Sequence, residues 1–440
     1  MKFALIAGTQ SGCGKTSVTL AVLQILKRQG KSVRSFKTGP DFLDPMWHKA
    51  ITQKISYNLD TNMIGIEQSI DILAKHQDAE FGIIEGVMGL FDCRGGVGGK
   101  GSGAHLAKEL DIPVWLVVNA KGMSGSIVPL VKGFVMEAEN LGFRISGIIA
   151  NRLGSENHAK IIREFLDEYS LPPLIAWMAK DAPAMPERHL GLQMPEEHRV
   201  PDFSSVFHAD MDLLAANVGR FTKVSSQVLQ DNNNDFSGYL QGKNIAIARD
   251  SACCFIYQKN LDWLQDQGAN LHFFSPVAGD VIPTDADAIW LPGGYPELHA
   301  EALSQSATWS SLAMHIKEGT PCLAECGGMM ILAKSLTDHQ GKAWKMADIL
   351  PIECHMQDRL VSLGYREDSS GIKGHEYHHS KRTDLKKIPL AYTLTRGDEG
   401  VMFNNCRASY VHWYFESAPE IAARFFTAEQ KAVQNKKDKE

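Results

Sequence analysis

Apolar positions along the chain fall into short continuous blocks that alternate with longer stretches of helical spacing. Phe3-Ala4-Leu5-Ile6-Ala7 is such a block, stopped by Gly8, and predicts a strand buried on both faces. Val18, Leu20, Val22, Leu23, Ile25 and Leu26 then recur on one helical face, predicting a helix over Ser17–Lys27. Further strands are predicted at Val33–Phe36, Phe81–Glu85, Val114–Val118 and Ile145–Ala150, with helical stretches ending near Lys75 and Leu110. Strand and helix signals that alternate in this way predict a doubly wound, parallel α/β sheet. The pattern lapses between Phe221 and Gly242, where Ser225-Ser226-Gln227 and Asp231-Asn232-Asn233-Asn234-Asp235 carry little that packs. It resumes with strands at Asn244–Ile247, Leu271–Phe274, Ala288–Leu291 and Pro321–Ala324, a second α/β domain. The expected division is 1–195, a linker region 196–242, a second domain 243–428 and a polar tail 429–440.

Length agrees with two domains, since 440 residues exceed one ordinary core. The charge, 45 basic minus 51 acidic residues, is −6 and offers no basic surplus for nucleic acid or an anionic membrane. An anionic small substrate would need local positive charge instead. Met1-Lys2 leads directly into the first strand without a signal peptide, and no apolar run reaches spanning length. Eight scattered cysteines without zinc-type spacing indicate reduced thiols, so a cytoplasmic protein is expected.

The first block feeds Gly8-Thr9-Gln10-Ser11-Gly12-Cys13-Gly14-Lys15-Thr16. Strand, glycine-rich turn and helix form the setting of a phosphate-binding loop. Gly8, Gly12 and Gly14 let backbone N–H groups converge on ATP phosphates, beside Thr9. Lys15 would neutralise the outer phosphates, and Thr16 would offer a hydroxyl to Mg²⁺. The first glycine sits one residue early for the usual spacing, and this form resembles the dethiobiotin synthetase group, which uses ATP to activate a carboxyl-type oxygen. Lys37 ends the second strand and meets either solvent or an anion. Asp41 and Asp44 suit a loop at the carboxyl edge of the sheet, as ligands or as caps of a turn. Glu85, an acid ending a buried strand opposite the loop, is placed as an Mg²⁺ ligand, with Asp92 following. Arg94–Gly103 holds six glycines and suits a lid or a plain mobile loop. Asn151 reads an adenine edge or caps a helix.

In the second half, Gly293 and Gly294 form a turn after a strand and offer oxyanion N–H groups. Glu325-Cys326-Gly327-Gly328 is a strand, a sharp turn and a helix with a thiol at the apex. Such geometry exposes a nucleophile, although a packed core cysteine is the common alternative. His412 closes a strand-like run and is the best base for that thiol. His375-Glu376-Tyr377-His378-His379 fits a zinc-protease pattern only if helical, and no helical periodicity surrounds it.

Three strings in order, Phe36–Pro45, Glu85–Asp92 and Glu187–Leu192, resemble the cobyrinic acid a,c-diamide synthases of corrinoid biosynthesis. The second half resembles the class I glutamine amidotransferase domain, a flavodoxin-like α/β fold. Typical members carry Glu two residues beyond the base histidine, where this chain has Tyr414, and the cobyrinate group also lacks that Glu. The resemblance implies ATP- and glutamine-dependent amidation of the a and c carboxylates of cobyrinic or hydrogenobyrinic acid through acyl phosphates, with Mg²⁺. It implies that Thr16, Asp41 and Glu85 hold the metal, that Lys37, Phe42, Leu43, Asp44 and Asp92 meet the anionic corrinoid or phosphoryl group, and that Cys326 and His412 release ammonia with Gly293, Gly294 and Gly327 as oxyanion donors. A homodimer is allowed as the assembly. The nickel-sirohydrochlorin a,c-diamide synthases and cobyric acid synthase are the neighbouring alternatives, and a partner-binding P-loop switch is the one from another class.

Overall fold

The computed structural model describes residues 1–93, 96–188, 191–192, 194–195, 198–223 and 238–427. They form two compact units, Met1–Asp231 and Asn232–Glu440.

The first unit carries β1 (Lys2–Gly8), β2 (Val33–Thr38), β3 (Tyr57–Leu59), β4 (Phe81–Gly89), β5 (Val114–Asn119), β6 (Ile145–Leu153), β7 (Leu174–Ala179), β8 (Glu187–Arg188), β9 (Gly191–Leu192), β10 (Phe207–Ala209) and β11 (Gly219–Arg220). Its main sheet runs β10-β7-β6-β5-β1-β4-β2-β3, with β11 also on β1. The strands from β1 to β7 pair in parallel, and only β10 and β11 run against their neighbours. The chain winds out from β1 through β2 and β3, returns at β4, then crosses to β5, β6 and β7. The reversal lies beside β1, so the crevice at its carboxyl end is where such a sheet binds ligands. Apart from Lys2, β1 is buried throughout. The helix α1 (Lys15–Arg28) buries Val18, Leu20, Val22, Leu23 and Leu26, in one cluster with Ala4, Ile6, Ile83 and Val117.

Two expectations change here. β4 continues to Gly89 and β6 to Leu153, so Asn151 sits in a strand and caps no helix. Much of 196–242, expected as linker, belongs to the first unit. Phe203, Phe207 and Leu214 are buried in its core, β10 pairs with β7, and β11 pairs with β1. These apolar residues stand too far apart to show a period in the sequence. Ser225–Asp235 and the tail beyond Thr427 lie outside the described residues, as do Arg94, Gly95, His189 and Leu190.

The second unit opens with β12 (Asn244–Ala248), β13 (Asn270–Phe274), β14 (Ala288–Leu291) and β15 (Cys322–Glu325), close to their expected bounds. It continues with β16 (Ser335–Thr337), β17 (Ala343–Lys345), β18 (Ile352–Met356), β19 (Ser362–Glu367), β20 (Lys373–His378), β21 (Ser380–Asp384), β22 (Val401–Phe403), β23 (Cys406–Ser409) and β24 (His412–Tyr414). The central sheet is β13-β12-β14-β15-β23-β22, parallel except for the last pair. Along β14, Ile289 and Leu291 enter one apolar cluster while Ala288 and Trp290 enter another, as two-sided burial of a parallel strand requires. The small sheets β17-β16-β18-β21 and β19-β20-β24 were not legible, because their strands are short and mostly polar. Among the described residues, no helix is long and apolar enough to cross a membrane.

Candidate functional site

In the first unit the constellation is set by strand register. Lys37 on β2 lies directly beside Glu85 on β4, and Ile6 on β1 flanks Glu85 on its other side. Lys37 Nζ donates to Glu85 Oε1 at 3.0 Å and lies 2.5 Å from Asp44 Oδ2. Thr16 Oγ1 donates to the same Glu85 oxygen at 2.8 Å. Burial pushes the Glu85 carboxyl up, but the Lys37 charge and the hydrogen bonds from His48 and Thr16 outweigh it and hold Glu85 below the usual range. Asp44 moves the other way: burial and the nearby Asp41 and Glu85 carboxylates raise it despite Lys37. The Lys37 ammonium is thus shared between the two carboxylates, 2.5 Å from Asp44 and 3.0 Å from Glu85.

The loop above this cluster is held from several sides. Gly14 takes φ 95°, a left-handed conformation that glycine adopts without a Cβ penalty, and α1 begins there with no side-chain cap. Its first N–H groups therefore face the loop, the arrangement that binds phosphate. Asn151 Nδ2 donates to Cys13 O at 2.8 Å, and its Oδ1 accepts from Arg152 N at 2.8 Å. Asn151 thus braces the loop from β6. Lys15 is buried, and burial followed by the Lys37 charge lowers its proton affinity. A bound anion would reverse both penalties.

Asp41 Oδ1 accepts from the backbone N–H groups of Leu43 and Asp44, fixing the first turn of α2 (Leu43–Thr52). Asn58 Nδ2 donates to Gly39 O and Asp41 O, pinning the same loop to β3. Asp92 Oδ2 accepts from Gly89 N at 2.8 Å. Phe42 and Leu43 sit half-buried on the Asp41 side of the loop. The Thr16 hydroxyl and Glu85 carboxylate are adjacent hard oxygen donors, the type that Mg²⁺ takes while keeping phosphate oxygens in its shell, so the residues fit that ion.

In the second unit Cys326 stands at φ 47°, ψ −109° between β15 and the helix Gly327–Ile331. This is a strained turn for a residue with a side chain, and such strain gathers at functional sites. Its N–H donates to Ser409 O at 2.7 Å, so it is committed to the sheet and is no oxyanion donor. A Cβ built on Gly293 would collide with His412 Cε1 and stand 3.2 Å from Cys326 Cβ, so thiol and imidazole face one small space across this glycine. A Cβ on Gly327 would lie 2.9 Å from Gly294 N, which places these two backbones in contact beside the thiol. Burial pushes the Cys326 thiol up, opposed by the Gly327 N–H. Burial, with the His375 and His378 charges, pushes His412 down to about 3. Both groups therefore rest neutral, with the unprotonated imidazole and the thiol turned toward one space. Gly293→Ala is expected to lower glutaminase turnover by roughly 10²-fold, since a displacement near 1 Å costs about that much. Glutamate release checks it, with the melting profile recorded alongside to separate lost turnover from lost fold.

Tyr414 packs on Tyr257 at a 5.4 Å ring separation. Two partners of the base strand were missed. Glu325 Oε1 accepts from Trp413 N at 2.8 Å and Oε2 from Trp290 Nε1 at 3.1 Å, while burial pushes its carboxyl up to about 8. His375 pairs with His412 in the β20–β24 ladder. An acid ending a buried strand singled out Glu85 and applies equally to Glu325. His375 and His379 are separated by extended chain, about 3.3 Å per residue, and form no helical metal pair. The buried face of β20 is occupied by Glu376, which bonds Arg366 and His378. His48, beneath Glu85, was also missed.

A nucleotide-type loop with an adjacent acid, and in a second domain a thiol facing a histidine, is the equipment of ATP-driven ligases that take nitrogen from glutamine. Residues 4–200 match the CobQ/CobB/MinD/ParA nucleotide binding domain, and residues 244–420 match the CobB/CobQ-like glutamine amidotransferase domain. A cobyrinate a,c-diamide synthase of Herminiimonas arsenicoxydans is 38% identical over 444 residues, covering 98% of each chain. A hydrogenobyrinate a,c-diamide synthase of Stutzerimonas stutzeri is 38% identical over 437 residues, covering 95% of this chain and 97% of the relative. One from Priestia megaterium, named for cobyrinate, is 34% identical over 460 residues, covering 99% and 98%. The chain belongs to the cobyrinate/hydrogenobyrinate a,c-diamide synthase family, and is an ATP-dependent, glutamine-using ligase.

Proposed function

We infer that this chain amidates the a and c side-chain carboxylates of cobyrinic or hydrogenobyrinic acid, using ATP and glutamine, in cobalamin biosynthesis. The similarity to named synthases over nearly their whole length supports this reading. The observation that carries it is the pairing within one chain of the Thr16–Glu85 contact beneath an uncapped helix start with the Cys326–His412 approach across Gly293.

A carboxylate resists attack by ammonia because its leaving group would be oxide. Its oxygen therefore takes the γ-phosphoryl group of ATP: an O–P bond forms, the bond to ADP breaks, and an acyl phosphate results. Lys15 and the α1 N–H groups stabilise charge on the transferring group. Mg²⁺, held by Thr16 and Glu85, would neutralise charge on the β- and γ-phosphates. Lys37 acts as the internal counter-ion of Glu85 and Asp44. Asp41 shapes the loop that offers Phe42, Leu43 and Asp44 to the macrocycle, and Asp92 shapes the turn after β4.

At the second centre His412 takes the Cys326 proton as sulfur attacks the glutamine amide. Gly294 and Gly327 N–H groups face the developing oxyanion, with Gly293 giving the close approach. Ammonia leaves with the proton returned by His412, and water hydrolyses the glutamyl thioester. Ammonia attacks the acyl phosphate and inorganic phosphate departs.

The test is mass spectrometry of cobyrinic acid, hydrogenobyrinic acid and nickel-sirohydrochlorin, each incubated with MgATP and glutamine. Two successive decreases of about one mass unit each, with one ADP per step, are expected for a corrinoid. Conversion of nickel-sirohydrochlorin alone would overturn the assignment.

A further inference from the structure

We propose that His48 is a positioning residue for the Glu85 carboxylate, fixing the oxygen that shares the metal with Thr16 and tying it to the loop Asp41–Asp44. This rests on the metal-ligand reading of Glu85 given above.

Glu85 Oε1 is occupied by Thr16 and Lys37, and Oε2 by His48 Nε2 at 2.8 Å. An ionised carboxylate only accepts, so Nε2 carries the proton and donates. The other ring nitrogen, Nδ1, meets Ser56 Oγ at 3.0 Å, just before β3. His48 is wholly buried. The imidazole is thus held at both nitrogens, and the carboxylate at both oxygens. Neither can turn without breaking a buried hydrogen bond. Partners of this kind orient ligating carboxylates and tune the ion.

Asp44 and His48 are four residues apart on α2 and share a face. Asp44 meets Lys37, His48 meets Glu85, and Lys37 meets Glu85. These three contacts, with the α2 backbone between Asp44 and His48, close a ring through β2, β4 and α2. Rigid-body movement of α2 that carries Asp44 therefore also carries the partner of Glu85. Ser56, at the far end, anchors the ring to the start of β3.

The experiment measures Mn²⁺ affinity in the presence of ADP by electron paramagnetic resonance, and ADP affinity in EDTA, for the full chain. His48→Ala is expected to weaken Mn²⁺ binding by about 10–100-fold while ADP binding in EDTA stays within about twofold. His48→Gln, which retains an N–H donor, should recover part of the loss. Ser56→Ala, which leaves the imidazole in place, should weaken Mn²⁺ in the same direction by a smaller factor and serves if His48→Ala does not fold. Equal weakening of ADP in EDTA would mean collapse of the loop and would overturn the proposal. So would unchanged Mn²⁺ affinity in His48→Gln and Ser56→Ala. Glu85→Gln separates the two levels. If it loses Mn²⁺ while the His48 and Ser56 variants do not, only the positioning role falls. If it too is unchanged, the ligand reading of Glu85 falls with it.

Discussion

Replacing Cys326 with serine is expected to cut glutamine-supported amidation by at least about 10³-fold, the scale on which removal of a nucleophile acts. Amidation supported by free ammonium should stay within about twofold. The asymmetry follows from the chemistry at each centre. In the proposed reaction the thiol attacks glutamine, while acyl phosphate formation draws on the first unit's loop and its acid. Serine is close to cysteine in size, so the strained turn at φ 47° and the Cys326 N–H to Ser409 O bond are retained. An alcohol is a much weaker acid than a thiol, so a serine hydroxyl beside the neutral His412 is far harder to activate. Parallel assays with glutamine and with ammonium chloride check this. Equal loss with both donors would show that the thiol serves the synthetase reaction as well.

Lys15→Met should show the opposite split. Amidation from either nitrogen source is expected to fall by roughly 10²–10³-fold, the size of effect seen when a preorganised electrostatic contact to the reacting group is removed. Methionine fills nearly the same volume, so the loop should keep its shape, with Asn151 still bonded to Cys13. The charge is what is lost. Hydrolysis of glutamine at Cys326, assayed by glutamate release without ATP, should remain within about threefold, because Lys15 belongs to the other compact unit. Retention of amidation in Lys15→Met would remove the phosphate role from this loop.

In the central sheets β3, β7, β10, β11 and β22 are not among the expected strands, whereas β1, β2, β4, β5, β6 and β12 to β15 are legible from their apolar runs. The glycine turns that follow them were readable for a related reason: they end such runs abruptly. What escaped detection depends on contacts across the chain. His48 carries no local signal, since its role arises from Glu85, far away in sequence on β4. Lys37 was seen as an anion partner, yet the register beside Glu85 makes it a counter-ion within the protein. Asp41 was read as metal ligand or cap; its Oδ1 is engaged by two backbone N–H groups, which a sequence cannot distinguish from ligation. The packed stretch around Phe203, Phe207 and Leu214 reads as linker in the sequence because isolated apolar residues without a period look like loop.

The Cys326 N–H to Ser409 O hydrogen bond also constrains how the glutaminase can be regulated. Ser409 ends the strand that leads, three residues on, into His412, and Glu325 grips Trp413 from the nucleophile's own strand. Sulfur and imidazole are therefore mounted on one rigid frame. An allosteric signal cannot idle this enzyme cheaply by drawing acid from base. Control that spares this frame would act on the entry of glutamine or on the peptide planes of Gly293 and Gly294, which come from another strand end, and inhibitors that displace those planes would silence ammonia production while leaving the dyad intact.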